Sequence, residues 1–162
     1  MTNELQRNLI GNGFGAPPSH ILEAVDEAMA HRRYPGVPHS IYEEVWHAAF
    51  YQELTLDWIA GKPTPYPEHA TEGFPASAAE PWDQVRQRFL DDAEQAAMIA
   101  GNETQLLAPV LCQSRTPDPP RTMTVRDQIE GVAAHNSYHL GHVVLLRQLF
   151  DAWPPPSGGD TW

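Results

Sequence analysis

The sequence predicts an all-α protein, a four-helix bundle with long crossover connections. Three observations predict it. Four stretches carry apolar residues repeating at threes and fours, the period of a helix with one buried stripe. Each stretch is bounded by a capping residue or a Pro/Gly break. No stretch shows the strict alternation of a half-buried strand, and no internal repeat is present. At 162 residues the chain suits one domain with a substantial core. That domain is expected over residues 1–153, with 154–162 as a flexible C-terminal tail.

The first helix is expected over Ser19 to His31, capped by Ser19 and striped by Ile21, Leu22, Val25, Ala28 and Met29. Tyr34-Pro35-Gly36-Val37-Pro38 ends it. The second starts at Ser40, whose partner Glu43 completes a capping box, and runs to about Ala60 before Gly61-Lys62-Pro63. It has little polar face, so it is expected to be buried on several sides. Residues 61–80 hold four prolines and two glycines and form a long loop, a kind often functional in compact domains. The third helix spans about Pro81 to Ala100, with Trp82, Val85, Phe89, Ala93, Ala96 and Ala97 as its stripe and Gly101 as its stop. A second long connection, Asn102 to Met123, follows. The fourth helix begins at Thr124, with Asp127 as its capping partner, and reaches about Ala152. Pro154 to Asp160 has the composition of a frayed terminus.

Composition excludes several function classes. The net charge is -11, from 21 acidic and 10 basic side chains, and no basic stripe is present. That balance opposes nucleic-acid binding and attachment to anionic membranes. Cys112 is the single cysteine, so no disulfide can form within the chain; it is read as a partly buried structural residue. The N-terminal segment has no apolar signal core, and no apolar run reaches the roughly 20 residues of a membrane span. A cytoplasmic protein is the expectation. Gly11, Gly13 and Gly15 precede no strand-helix unit and no P-loop lysine, so they make no phosphate cradle.

The chemistry concentrates in the fourth helix. His135 and His139 stand four residues apart in Ala-Ala-His-Asn-Ser-Tyr-His-Leu-Gly-His, which puts both imidazoles on one face. The apolar stripe of Ile129, Val132, Val143, Leu146 and Phe150 runs through the same face, so the pair points toward the core. Paired inward histidines at this spacing commonly hold a metal. A third ligand must come from another helix, and His47, amid Val45-Trp46-His47-Ala48-Ala49, is the best candidate. Three imidazoles suit Zn, Ni, Fe or Cu rather than Ca or Mg, and three protein ligands leave an open coordination position. The bland alternative is that these are hydrogen-bonded core histidines. His142 shares their side of the helix and is read as a residue that orients a ligand, or lies at the rim, rather than as a ligand. His20, His31, His39 and His69 are expected in solvent, with His69 the one able to fold over a pocket. Glu44-Val45-Trp46-His47 matches the Glu-x-x-His unit of di-iron bundles, but Glu130, Glu94, Asp91 and Asp92 do not complete that set. Glu43 and Glu44 are read instead as favouring a helix N-terminus through its dipole.

A helix with a central histidine, followed by a last helix reading His135-Asn136-Ser137-Tyr138-His139-Leu140-Gly141-His142-Val143-Val144-Leu145-Leu146-Arg147, resembles the DinB/YfiT-like metalloenzyme superfamily. The resemblance runs from about residue 15 to 153. Many members carry Gln where this chain has His142. The resemblance implies a four-helix bundle with a long crossover and a divalent metal on the residues matching His47, His135 and His139. It implies thiol-dependent S-transfer or mycothiol-dependent isomerisation, with a small-molecule substrate, and often a homodimer; it does not imply DNA binding. The first expectation is thus a metal-dependent thiol S-transferase, or a related hydrolase or isomerase, using Zn, Ni or Fe and a low-molecular-weight thiol. His142 would serve as an outer base. The alternatives are a non-catalytic metal- or ligand-binding bundle and a structural homodimer.

Overall fold

Capping sets the long helices where the sequence expects them. In the computed structural model, which describes residues 2–11, 15–77 and 80–159, Ser40 and Glu43 cap each other's backbone N–H groups and start α4, Ile41–Ile59. Thr124 and Asp127 do the same for α7, Val125–Leu149. α5, Trp82–Ala100, follows Pro81 and stops at Gly101. α4 packs on both α5 and α7, which gives the bundle its centre.

The core has two apolar clusters strung along the helices. One joins Tyr42, Val45 and Ala49 of α4 to Phe89 of α5 and Val143 and Leu146 of α7. The other joins Leu54 and Trp58 to Ala96, Ala97, Ile129 and Val132. Each large apolar side chain so buried contributes about 1.5–3 kcal/mol. Between the clusters lies a polar layer. Asn136 Nδ2 donates to Gln52 Oε1 at 2.7 Å, and Gln52 Nε2 donates to the Phe89 carbonyl at 3.0 Å, which ties α7 to α4 and α4 to α5. All of these side chains are buried, so the layer fixes the register of three helices at the level of His135 and His139.

The rest of the bundle departs from expectation in four places. The first expected helix is broken. α2, Pro18–Ile21, and α3, Glu27–His31, are separate because Ala24 adopts a left-handed φ of 56° and Asp26 caps a new start through the Met29 N–H. Ser19 lies inside α2 and is not its cap. A helix not foreseen, α1 (Glu4–Ile10), is capped by Asn3 and Gln6 and packs on α5 and α7. Asn3 and Gln6 also reach the Ala100 and Ala97 carbonyls, so their polar side chains tether α1 to the end of α5. The three short helices together flank the three long ones, with α2 on α7 and α3 on α4 and α5.

The connection after α5 holds a short helix α6, Glu103–Leu106, and a hairpin where no strand was expected. β1, Pro109–Cys112, pairs antiparallel with β2, Arg121–Thr124, with Pro109 opposite Thr124 and Cys112 opposite Arg121. Cys112 is buried there, as expected. α7 ends at Leu149, short of Ala152. Beyond it Pro155 is buried and the Ser157 hydroxyl bonds Glu23 and His20; residues 160–162 of the expected tail lie outside the described residues. Among the described residues no helix is long and apolar enough to cross a membrane.

Candidate metal centre

α4 and α7 bring His47, His135 and His139 together. The Nε2 atoms of His135 and His139 lie 3.1 Å apart, and His47 Nε2 lies 3.2 Å from His135 Nε2. One helix turn sets the first distance; the packing of α4 on α7 sets the second. The three donor atoms could hold one metal ion, lying within 4.8 Å of one another.

Two of the three rings have an anchored outer nitrogen. His47 Nδ1 donates to the Gly73 carbonyl at 2.7 Å, and His139 Nδ1 donates to Glu44 Oε2 at 2.6 Å. Carbonyl and carboxylate only accept, so each Nδ1 carries a proton, and in that neutral tautomer each ring turns a bare lone pair inward. His135 Nε2 is within hydrogen-bonding reach of both neighbours but has at most one proton to give. With at most one proton among three converging nitrogens, at least two lone pairs are left facing each other, a repulsion that a cation relieves. Imidazole nitrogens in this number suit a divalent transition ion, so the residues fit such a metal.

The electrostatics favour neutral rings at His135 and His47. Burial, then the neighbouring His139 and His47, pushes His135 down to about 4. Burial also lowers His47, although its bond to Gly73 opposes the shift. Burial alone would raise the Glu44 carboxyl, but the hydrogen bond and charge of His139, with His142 beside it, outweigh that and hold it below its ordinary value. A carboxylate behind a ligand histidine fixes the ring and makes it a better donor.

Glu44 is the residue sequence reasoning misjudged. Its first-turn position suits the helix dipole, but its side chain is only 3% exposed and links His139 to His142, whose Nδ1 lies 3.3 Å from the same oxygen. The Glu-x-x-His spacing was a signal, read against the wrong kind of site. His142 lies at the partly exposed edge of this chain of contacts.

The long loop supplies the other anchor. Ala70–Gly73 makes a single 3-10 turn that brings the Gly73 carbonyl to His47. Phe74 then stacks on His47 at 4.1 Å and on His39 at 4.3 Å between ring centres. His39 thus packs on the cover instead of standing in solvent, and His69, the residue expected to fold over, stays exposed ahead of the turn. A Cβ at Gly73 would come within 3.0 Å of the Tyr51 ring, so only glycine lets the turn sit this close. His20 and His31 lie away from the centre, bonded to Ser157 and Glu27.

A cavity of about 490 Å³ opens beside His47 and His135, walled by Tyr51, Leu54, Trp58 and Tyr66. Tyr51 meets both imidazoles edge-on, and burial, then Tyr66, pushes its hydroxyl up to about 12, so it keeps its proton. Burial, then Asp127, likewise raises the Cys112 thiol, which suits a structural residue better than a nucleophile. A separate cavity of about 470 Å³ lies between α1, α2 and α7 and carries no imidazole. Hollow volume alone therefore does not mark the site.

No curated protein matches the chain. A model of the DinB superfamily matches residues 19–143, a span that contains His47, His135, His139, Glu44 and His142. With the all-α bundle in place around those residues, the chain belongs to the DinB superfamily.

Proposed function

We propose that the chain is a metal-dependent enzyme acting on a small molecule, a thiol S-transferase or a related hydrolase or isomerase. His47, His135 and His139 would be the ligands of a divalent Zn, Ni or Fe ion. The observation that carries this reading is the meeting of three inward Nε2 atoms, two of them with outer nitrogens already anchored, at the wall of a cavity.

When bound, such an ion supplies Lewis acidity, which favours the thiolate form of a low-molecular-weight thiol, the nucleophilic form. The chain's residues do the positioning. Gly73 and Glu44 fix the tautomer and tilt of His47 and His139. Phe74 shields one face of His47 from water. Trp58 and Tyr66 offer flat apolar walls to the substrate, and Tyr51 offers a hydroxyl that donates a hydrogen bond and does not act as a base. His142, at the edge, is the outer base of this reading, linked to His139 through Glu44.

The net charge of -11 supports a small-molecule partner over nucleic acid or a membrane surface. The reading also takes the chain as a cytoplasmic homodimer, checked by light scattering and fractionation. The deciding experiment is metal analysis of untagged protein with single and paired His→Ala variants. Near-stoichiometric metal surviving loss of both His135 and His139 would reject the ligand assignment. A screen of thiols against electrophiles then separates an enzyme from an inert metal-binding bundle.

A further inference from the structure

The cavity beside the histidines continues. A second hollow of about 400 Å³ lies beyond it, and the two share Trp58, Tyr66, Met123 and Gln128, so they form one trough. Its inner end is His47 and His135, and its outer end carries Arg115 and Arg121. The hairpin builds that outer end: Arg121 opens β2, and Arg115 lies in the connection between the strands.

The two arginines at the outer end carry no acidic partner within salt-bridge distance among the described residues. Acidic side chains outnumber basic ones 21 to 10. Arg33, Lys62, Arg86, Arg88 and Arg126 each pair with a carboxylate; of the five basic side chains that enter no ion pair among the described residues, Arg115 and Arg121 are the two that line the trough. Arg115 is also held in place. Its Nε donates to the Pro67 carbonyl at 3.1 Å, and its guanidinium lies 5.4 Å over the Tyr66 ring, which leaves the two terminal nitrogens for a ligand. Three carboxylates lie at or near the trough. Glu68 accepts from Thr116 and Asp127 from Thr124, which fixes both carboxylates in place, and Asp118 lines the outer hollow.

We infer that the trough binds an elongated organic acid. Its carboxylate is held by Arg115 and Arg121, its apolar midsection lies against Trp58 and Tyr66, and its reactive end reaches the histidines. Two guanidinium forks at one end offer the planar paired donors that a carboxylate accepts side by side. The inference rests on the proposed function only for the chemistry at the inner end. The acid is either the thiol or its acceptor, and the probes distinguish these.

The test measures binding by calorimetry and by tryptophan fluorescence, since Trp58 lines the trough. Phenylbutyrate should bind at least about tenfold more tightly than its amide, the size expected for one charge-assisted bidentate contact. Mercaptobutyrate against its amide provides the thiol arm: a preference confined to that pair assigns the acid to the thiol, and one confined to the phenyl pair assigns it to the acceptor. The Arg115→Gln/Arg121→Gln variant should lose the preference in either case while melting with the wild type. A preference that persists in that variant, or no preference in either pair, overturns the inference, as does tighter binding of phenylpropylphosphonate. Phenylbutyrate has no thiol, so its preference should survive His135→Ala/His139→Ala. Failed metal binding with an intact arginine effect would sink the enzyme reading alone, and the converse would sink the trough alone.

Discussion

Arg147 is 1% exposed, and its Nη1 donates to the Ile21 carbonyl at 2.5 Å and its Nε to the Ala152 carbonyl at 3.1 Å. About two and three turns earlier on the same helix, His139 and His135 turn Nε2 atoms toward each other at 3.1 Å. Both centres bury polar nitrogen. In the first, the donors end on backbone carbonyls, and the result joins the end of α7 to α2. In the second, the outer nitrogens of His139 and His47 end on Glu44 and Gly73, while the inner ones converge on His135, beside a cavity that His47 and His135 line. A buried polar group whose donors end on the chain's own carbonyls holds the fold together. One whose capacity is kept in a single direction points to a ligand.

Metal addition tests that contrast most strongly. Zinc at about a thousandfold over its Kd should stabilise the protein by about 4 kcal/mol, measured as a rise in melting temperature over chelator-treated protein. The His135→Ala/His139→Ala variant should show no such rise; an equal rise would erase the distinction between the two centres. Arg147→Met should do the reverse. It strands the Ile21 and Ala152 carbonyls and should cost about 3 kcal/mol in urea denaturation with metal stoichiometry intact. Loss of metal in that variant would show that the centres are not separate. Glu44→Gln keeps an acceptor for His139 but removes its charge, and should weaken zinc binding about tenfold in a competition titration with a chromogenic chelator.

A third buried polar group sharpens the contrast by belonging to neither class. The Asp92 carboxyl has an oxygen that is buried with no hydrogen-bond partner among the described residues, and burial, then the charge of Glu53, pushes the carboxyl up to about 6. A folded-state value above the unfolded one means that the folded protein binds more protons between about 4 and 6, so stability falls as pH rises through that window. Asp92→Asn should therefore stabilise by about 1 kcal/mol at pH 8, after discounting for solvent screening, and by nearly nothing below pH 4. Thermal melts at the two pH values check the sign.

What the sequence made legible was local. Ser40/Glu43 and Thr124/Asp127 cap their helices within one turn, so their signals lie entirely in neighbouring residues. The same holds for His135 and His139, whose spacing is a property of one helix. The break at Ala24 stayed hidden because the apolar stripe of Ile21, Leu22 and Val25 continues across it. The hairpin stayed hidden because its strands are four residues each and β2 is almost wholly exposed, so neither presents a long alternating face. Glu44 and Gly73 were missed for a third reason. One reaches across from α4 to α7 and the other offers a backbone carbonyl, and neither contact leaves a mark in sequence spacing.

Phe74 lies between His39 and His47, almost parallel to the first at 9° and to the second at 19°. The lid over the centre is thus latched partly by an imidazole of the centre itself. Linkage makes such a latch reciprocal: whatever steadies the ring of His47 also holds the lid down, and whatever peels the lid away loosens the ring. A protease nicking this long loop would consequently report occupancy of the histidines, cutting the loaded protein more slowly than the stripped one.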